Sequence, residues 1–189
     1  MSHLLPLCRL ALLVLLAPLA LTGCDPGGTY DPSTCEEGND LGDCASDFTL
    51  LDGSDTPWTL SDHLGKVAVV EFGQMWCTQC RRAADDLAVI KEEIPSEDLQ
   101  IFAIYFEDPV GDSVETSEVA DYAEEHEIPF PVLADTDGSV EAVWGFSGGR
   151  PNLFVLDALG IVRYRTSGHR DSFANDVRDA ISEAQEPVE

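Results

Sequence analysis

Val67-Ala68-Val69-Val70-Glu71-Phe72-Gly73-Gln74-Met75-Trp76-Cys77-Thr78-Gln79-Cys80 is the stretch whose reading decides the fold. Lys66 to Phe72 is an apolar, valine-rich run that reads as a buried central strand, with one acid, Glu71, inside it. Cys77 to Ile94 reads as a helix, because Ala83, Ala84, Leu87, Val89 and Ile90 recur at helical spacing and Pro95 ends the pattern. The two cysteines therefore sit at a strand-to-helix junction. At a helix N-terminus, unpaired backbone N–H groups and the macrodipole favour an anion. Such placement lowers a cysteine pKa from about 8.5 to roughly 3.5–7.5, and the thiolate is the reactive form. Cys77 is then the candidate nucleophile, and Cys80, one turn further in, the resolving thiol of a mixed-disulfide cycle. The same spacing forms half of a zinc site, but no second pair or nearby histidine completes one. An inert structural disulfide is the other alternative.

Outward from this junction, apolar runs alternate with amphipathic stretches, the pattern of an α/β domain with a central mixed sheet flanked by helices. Phe48 to Leu51 reads as an entry strand, Ile101 to Phe106 as a second buried strand and Ser113 to Glu127 as an acidic helix. Val132 to Ala134 is a short strand and Gly138 to Trp144 a brief helix. Leu153 to Leu156 and Ile161 to Tyr164 flank a turn at Asp157 to Gly160 and read as a hairpin. Ser172 to Ala184 is the last helix, and the chain frays from Pro187. Asp135-Thr136-Asp137-Gly138 looks like the opening of a calcium loop, but no glutamate completes the spacing and a turn is preferred.

The chain of 189 residues has room for one domain with short appendages. Thirty-six acidic and ten basic side chains give a formal charge of −26, which excludes nucleic acid as an expected partner. Residues 1–23 have the layout of an export signal: a weakly basic start at Arg9, an apolar run from Leu10 to Leu21, and small residues before Cys24. Leu21-Thr22-Gly23-Cys24 resembles the lipobox of bacterial lipoproteins, which implies that Cys24 carries lipid and begins the mature chain. Residues 24–46 read as an acidic, Gly- and Pro-rich tether, and 47–186 as the folded domain. Within the tether Cys35 and Cys44 are read as a structural disulfide closing a small loop; free thiols and a second active pair are the alternatives. Export places the domain where disulfides persist.

From about Cys44 to Ala184 the sequence resembles the thioredoxin superfamily, and more narrowly its TlpA/ResA-like, or redoxin, branch of exported and membrane-tethered members. The matching runs are Asp47-Phe48-Thr49-Leu50 with Gly53, Leu60-Ser61-Asp62-His63-Leu64-Gly65-Lys66, Val69-Val70-Glu71-Phe72 and Trp76-Cys77-Thr78-Gln79-Cys80. Gly149-Arg150-Pro151, Phe154-Val155-Leu156-Asp157 and Gly160 complete them. The resemblance implies a cis Pro151 beside the cysteines, with the backbone of Arg150 pairing with a substrate strand. It also implies that Glu71 is a buried acid serving Cys80 as a base, which suits the raised pKa of a buried carboxylate; a water-paired glutamate with no catalytic part is the alternative. Trp76 reads either as shield and contact surface for the thiol or as packing. His63, His126 and His169 read as solvated or capping residues. Thr78-Gln79, Gly73-Gln74-Met75 and Arg150 depart from the commoner residues of the family.

The resemblance implies a protein disulfide reductase facing the periplasm. Its only redox group is the Cys77–Cys80 pair, with no metal and no further cofactor. Its expected partners are exported protein thiols and disulfides, a membrane or periplasmic electron donor, and the membrane itself through the lipid. Two other readings stand beside it. A thiol peroxidase would need Pro-x-x-x-Thr-x-x-Cys, whereas Val70 and Gln74 hold the Pro and Thr places. A copper-binding metallochaperone usually has its cysteines four apart, not three.

Overall fold

A computed structural model describes residues 35–186. The signal segment 1–23, Cys24 and the end from Pro187 lie outside the described residues. The domain is a mixed seven-stranded sheet with helices on both faces, the α/β class expected. Its strands are β3 (Thr49–Asp52), β4 (Pro57–Thr59), β5 (Val67–Gly73), β6 (Leu99–Tyr105), β7 (Val132–Ala134), β8 (Asn152–Leu156) and β9 (Val162–Ser167), in the order β4-β3-β7-β6-β5-β8-β9. Two short strands, β1 (Glu37–Gly38) and β2 (Cys44–Ala45), precede them as a separate parallel pair. The helices are α1 (Thr78–Glu93), α2 (Thr116–Glu125), α3 (Ser139–Trp144) and α4 (Phe173–Ala184).

Every residue of β5 is buried. It runs parallel to β6, from Val67 opposite Leu99 to Gly73 opposite Tyr105, and antiparallel to β8, from Ala68 opposite Leu156 to Phe72 opposite Asn152. Because side chains alternate along a strand, Val67 and Val69 join a core with Leu87 and Ile90 of α1, Tyr122 of α2, and Phe173 and Val177 of α4. Ala68, Val70 and Phe72 join the opposite core with Phe48, Leu60, Trp144 and Phe154. The aromatic rings of that second core meet mainly edge to face, with Trp144 and Phe154 centroids 5.0 Å apart.

Several elements differ from the sequence reading. Val89, placed in the apolar stripe of α1, is 49% exposed; the buried face is Cys80, Ala83, Ala84, Leu87 and Ile90. Helix α2 is shorter than Ser113 to Glu127, because Glu115 and Glu118 form a capping box that fixes its start. Strand β4 was not expected from the sequence; Pro57 opens it at the sheet edge, where a missing N–H is tolerated.

The largest difference concerns residues 35–46, read as part of a free tether. They dock on the β8–β9 hairpin: Gly42 N–H donates to Val162 O at 2.9 Å, Ala45 N–H to Gly160 O at 2.9 Å and Val162 N–H to Asp43 O at 3.0 Å. Cys35 and Cys44 are joined in a disulfide with Cα atoms 5.6 Å apart. The Arg165 guanidinium donates to Asn39 O at 3.1 Å and pairs with Asp40. A segment poor in apolar residues can still add to a domain through backbone hydrogen bonds, each contributing about 1 kcal/mol. A chain beginning at Asp47 should therefore unfold at lower urea than one beginning at Asp25, with a loss of about 2 kcal/mol or more; equal midpoints would mean that the segment is only a tether.

Candidate active site

Cys77 is the N-cap of α1. Its backbone is extended, at φ −82° and ψ 107°, and its sulfur accepts a hydrogen bond from Cys80 N–H at 3.1 Å. No acid lies in the first turn of the helix, so nothing there offsets the favourable effect of the helix terminus on a negative sulfur. Cys77 and Cys80 form a disulfide with Cα atoms 5.3 Å apart. Cys77 is 8% exposed and Cys80 fully buried, so an incoming molecule reaches Cys77 first.

Gly73 ends β5 directly beneath this pair. A Cβ there would lie 3.1 Å from Cys80 Cβ, 3.3 Å from Cys80 Sγ and 3.1 Å from Tyr105 Cε1. The absent side chain is what lets Cys80 rest on the sheet. Two residues back along the same face is Glu71, fully buried, with neither carboxylate oxygen hydrogen-bonded. Burial pushes its pKa from 4.5 up to about 8.

The Arg150–Pro151 bond is cis. The β5–β8 pairing ends with Phe72 opposite Asn152, so Pro151 comes next, alongside Gly73 and hence beside the cysteines. Gly168 N–H donates to Pro151 O at 2.8 Å. The Arg150 side chain is turned inward: it donates to Asn152 Oδ1 at 2.8 Å, pairs with Glu141 of α3, and lies 5.4 Å from the Phe106 ring centroid. What Arg150 can offer a bound chain is thus its backbone. Trp76 is 54% exposed next to Cys77, and its indole N–H donates to Glu107 Oε2 at 2.7 Å.

Some members of the site are not visible in the sequence. Gln79, between the cysteines, accepts a hydrogen bond from His169 N–H at 3.2 Å, and His169 Nε2 lies 2.8 Å from Asp86 Oδ2 on α1. His169 was read as solvated or capping; its side chain is 15% exposed and links the loop after β9 to the active-site helix. Asp86 follows Cys80 by six residues, but its partner is 83 residues away. Tyr105 and Tyr122, on β6 and α2, lie in the same core as Cys80 and were read only as part of a strand and a helix. Asp135 forms a turn and helix cap, accepting from Glu141 N–H at 2.7 Å. Among the described residues no group of three or more His, Cys, Asp or Glu is placed to hold a metal ion.

Residues 41–165 match the model of the AhpC/TSA family. The chain belongs to that family. Similar proteins include thioredoxin-like protein YneN of Bacillus subtilis, 29% identical over 82% of this chain and 86% of its own. Thiol-disulfide oxidoreductase ResA of the same organism is 27% identical over 77% of this chain and 75% of its own. A protein of Chlorobium tepidum described as a thiol:disulfide interchange protein DsbE shares the fold, with a TM-score of 0.67, 24% identity and coverage of 77% of this chain and 97% of its own. With its Cys77–Cys80 disulfide, this AhpC/TSA member is a thiol–disulfide oxidoreductase of the redoxin type.

The raised pKa of Glu71 makes stability depend on pH in a set direction. Between about pH 4.5 and 8 the unfolded chain has lost this proton and the folded one keeps it, so folding weakens as pH rises through that window. The full effect is about 5 kcal/mol, from 3.5 pKa units at ~1.4 kcal/mol each. Glu71→Gln removes it. Urea unfolding of the disulfide form should show the variant gaining on the wild type by several kcal/mol from pH 5 to pH 8; parallel curves would show that Glu71 titrates normally.

Proposed function

We propose that this protein reduces disulfides of exported proteins through a Cys77–Cys80 dithiol/disulfide cycle, while held at a bacterial membrane by lipid on Cys24 and facing the periplasm. The observation that carries the reading is the arrangement of Cys77 at the N-cap of α1, bonded to a fully buried Cys80, with buried Glu71 on the sheet face below.

In the reduced protein the Cys77 thiolate attacks a substrate disulfide. One substrate sulfur leaves as a thiolate, and the other stays bonded to Cys77. Pro151 and the Arg150 backbone hold the substrate chain beside this bond, and Trp76 forms the rim of the contact. Glu71, in its ionised form, then takes the proton of Cys80, whose thiolate attacks Cys77 Sγ; the mixed disulfide breaks and the reduced substrate departs. An exported or membrane-bound dithiol returns the two electrons. No metal or further cofactor enters the cycle. Val70 and Gln74, where a peroxidatic cysteine would need Pro and Thr, speak against peroxide as the substrate.

Turnover of insulin disulfides by the chain beginning at Asp25 tests the chemistry. Cys77→Ser should fall to the uncatalysed rate, and Cys80→Ser should retain a substrate protein covalently on Cys77. Full activity in Cys77→Ser would overturn the reading. The anchor has its own check: labelled fatty acid should enter the full chain in a bacterial host and be absent from Cys24→Ser.

A further inference from the structure

The face of the sheet that carries Glu71 also carries two tyrosine hydroxyls that the reaction cycle does not use. Tyr105 is the register partner of Gly73, and its ring and Cys80 border the space that a Gly73 side chain would fill. Tyr122, on α2, has its ring centroid 4.9 Å from that of Tyr105. Tyr105 is fully buried and Tyr122 is 7% exposed; the two hydroxyls act on each other as hydrogen-bond partners at the limit of bonding geometry, and neither has any other partner among the described residues. Neither Glu71 oxygen has a partner among them. Beyond Tyr122, the His126 ring lies 4.3 Å away, half-buried at the C-cap of α2. The Glu71 carboxyl acts on both phenols, the two phenol rings touch, and the second lies against the imidazole.

A pair of phenylalanines would fill nearly the same space without burying two hydroxyls that have only a weak contact with each other, which is unfavourable in a core. Packing alone therefore does not account for tyrosine at both. The groups also influence one another: burial first, then the Glu71 carboxyl and Tyr122, raise the Tyr105 phenol well above its ordinary pKa. Arg81 and Asp85 of α1 are the other charged groups that act on Tyr122. On the β8 side Glu71 faces apolar Leu153.

We propose that Tyr105 and Tyr122 relay protons between buried Glu71 and solvent at the His126 end of α2. The inference rests on the role of Glu71 as base in the proposed cycle. Cys80 gives its proton to the Glu71 carboxylate; its thiolate attacks Cys77 Sγ, forming the Cys77–Cys80 bond as the Cys77–substrate bond breaks and the substrate thiolate leaves. Because most of Glu71 carries a proton near pH 7, that proton must leave before the carboxylate can take the one on Cys80, and the proton gained must leave again afterwards, while the core around it is mainly apolar. The tyrosines are positioning residues for proton movement; they act through Glu71 and touch no substrate.

Stopped-flow reaction of the reduced chain with 5,5′-dithiobis(2-nitrobenzoate) separates the steps. The first thiolate released reports attack by Cys77, and the second reports resolution by Cys80. Tyr105→Phe and Tyr122→Phe should leave the first phase unchanged. They should slow the second about tenfold at pH 7, with a larger solvent deuterium isotope effect and a thermal midpoint no lower than the wild type. A second phase at the wild-type rate in both variants overturns the relay, and so does equal slowing of both phases, which would indicate loosened packing. An unaltered second phase in Glu71→Gln removes the base, and the relay with it. A wild type that releases no thiolate refutes the dithiol cycle itself, so failure of the relay and failure of the function are read from different variants.

Discussion

Strand β5 is paired along both edges and covered on both faces, and the position of the reactive sulfur depends on that enclosure. Parallel pairing with β6 and antiparallel pairing with β8 fix where the strand ends, at Gly73. Five residues later the chain begins α1, whose buried face of Cys80, Ala83, Ala84, Leu87 and Ile90 locks onto the same sheet. Cys77 is left at the head of the helix, where an incoming molecule meets it before the fully buried Cys80. The β8 pairing likewise brings Pro151 alongside, so one strand positions the thiol pair, the acid beneath it and the proline beside it.

The same enclosure has an energetic consequence. A carboxyl on β5 cannot reach water, and Glu71 is held protonated near neutral pH at the expense of stability as pH rises. An apolar residue there would give a more stable sheet. The minor ionised fraction of the acid near neutral pH fits a reaction in which a buried thiol must lose a proton at a site that water reaches poorly. Arg150 follows a different logic: its charge is compensated by Glu141 and its plane lies against Phe106, which rigidifies the turn leading into the cis proline.

Much of this was legible in the sequence because its signals are local. The valine run, the helical spacing after Cys77, the cysteine spacing and the glycine-proline punctuation each act over a few residues, and the fold class follows from the alternation of apolar runs with amphipathic stretches. What local sequence does not show depends on pairing across long separations. The Gln79–His169–Asp86 link joins positions 90 and 83 apart, and nothing near His169 distinguishes it from a solvated histidine. Tyr105 and Tyr122 look like ordinary members of a strand and a helix until the register sets them on the Glu71 face. Residues 35–46 are poor in apolar side chains, the feature from which docking is usually read, and attach mainly through backbone groups common to every residue.

Equilibration of the protein in thiol/disulfide buffers of graded potential, followed by alkylation and peptide mapping of each cysteine, tests the central claim most directly. Cys77 and Cys80 should pass from disulfide to dithiol together, as one two-electron couple with a midpoint between about −270 and −120 mV, the range of known dithiol oxidoreductases. Cys35 and Cys44 should stay oxidised over that range. Failure of Cys77 and Cys80 to exchange, or transition of the two pairs at a common potential, would contradict the assignment of a single active pair at the head of α1.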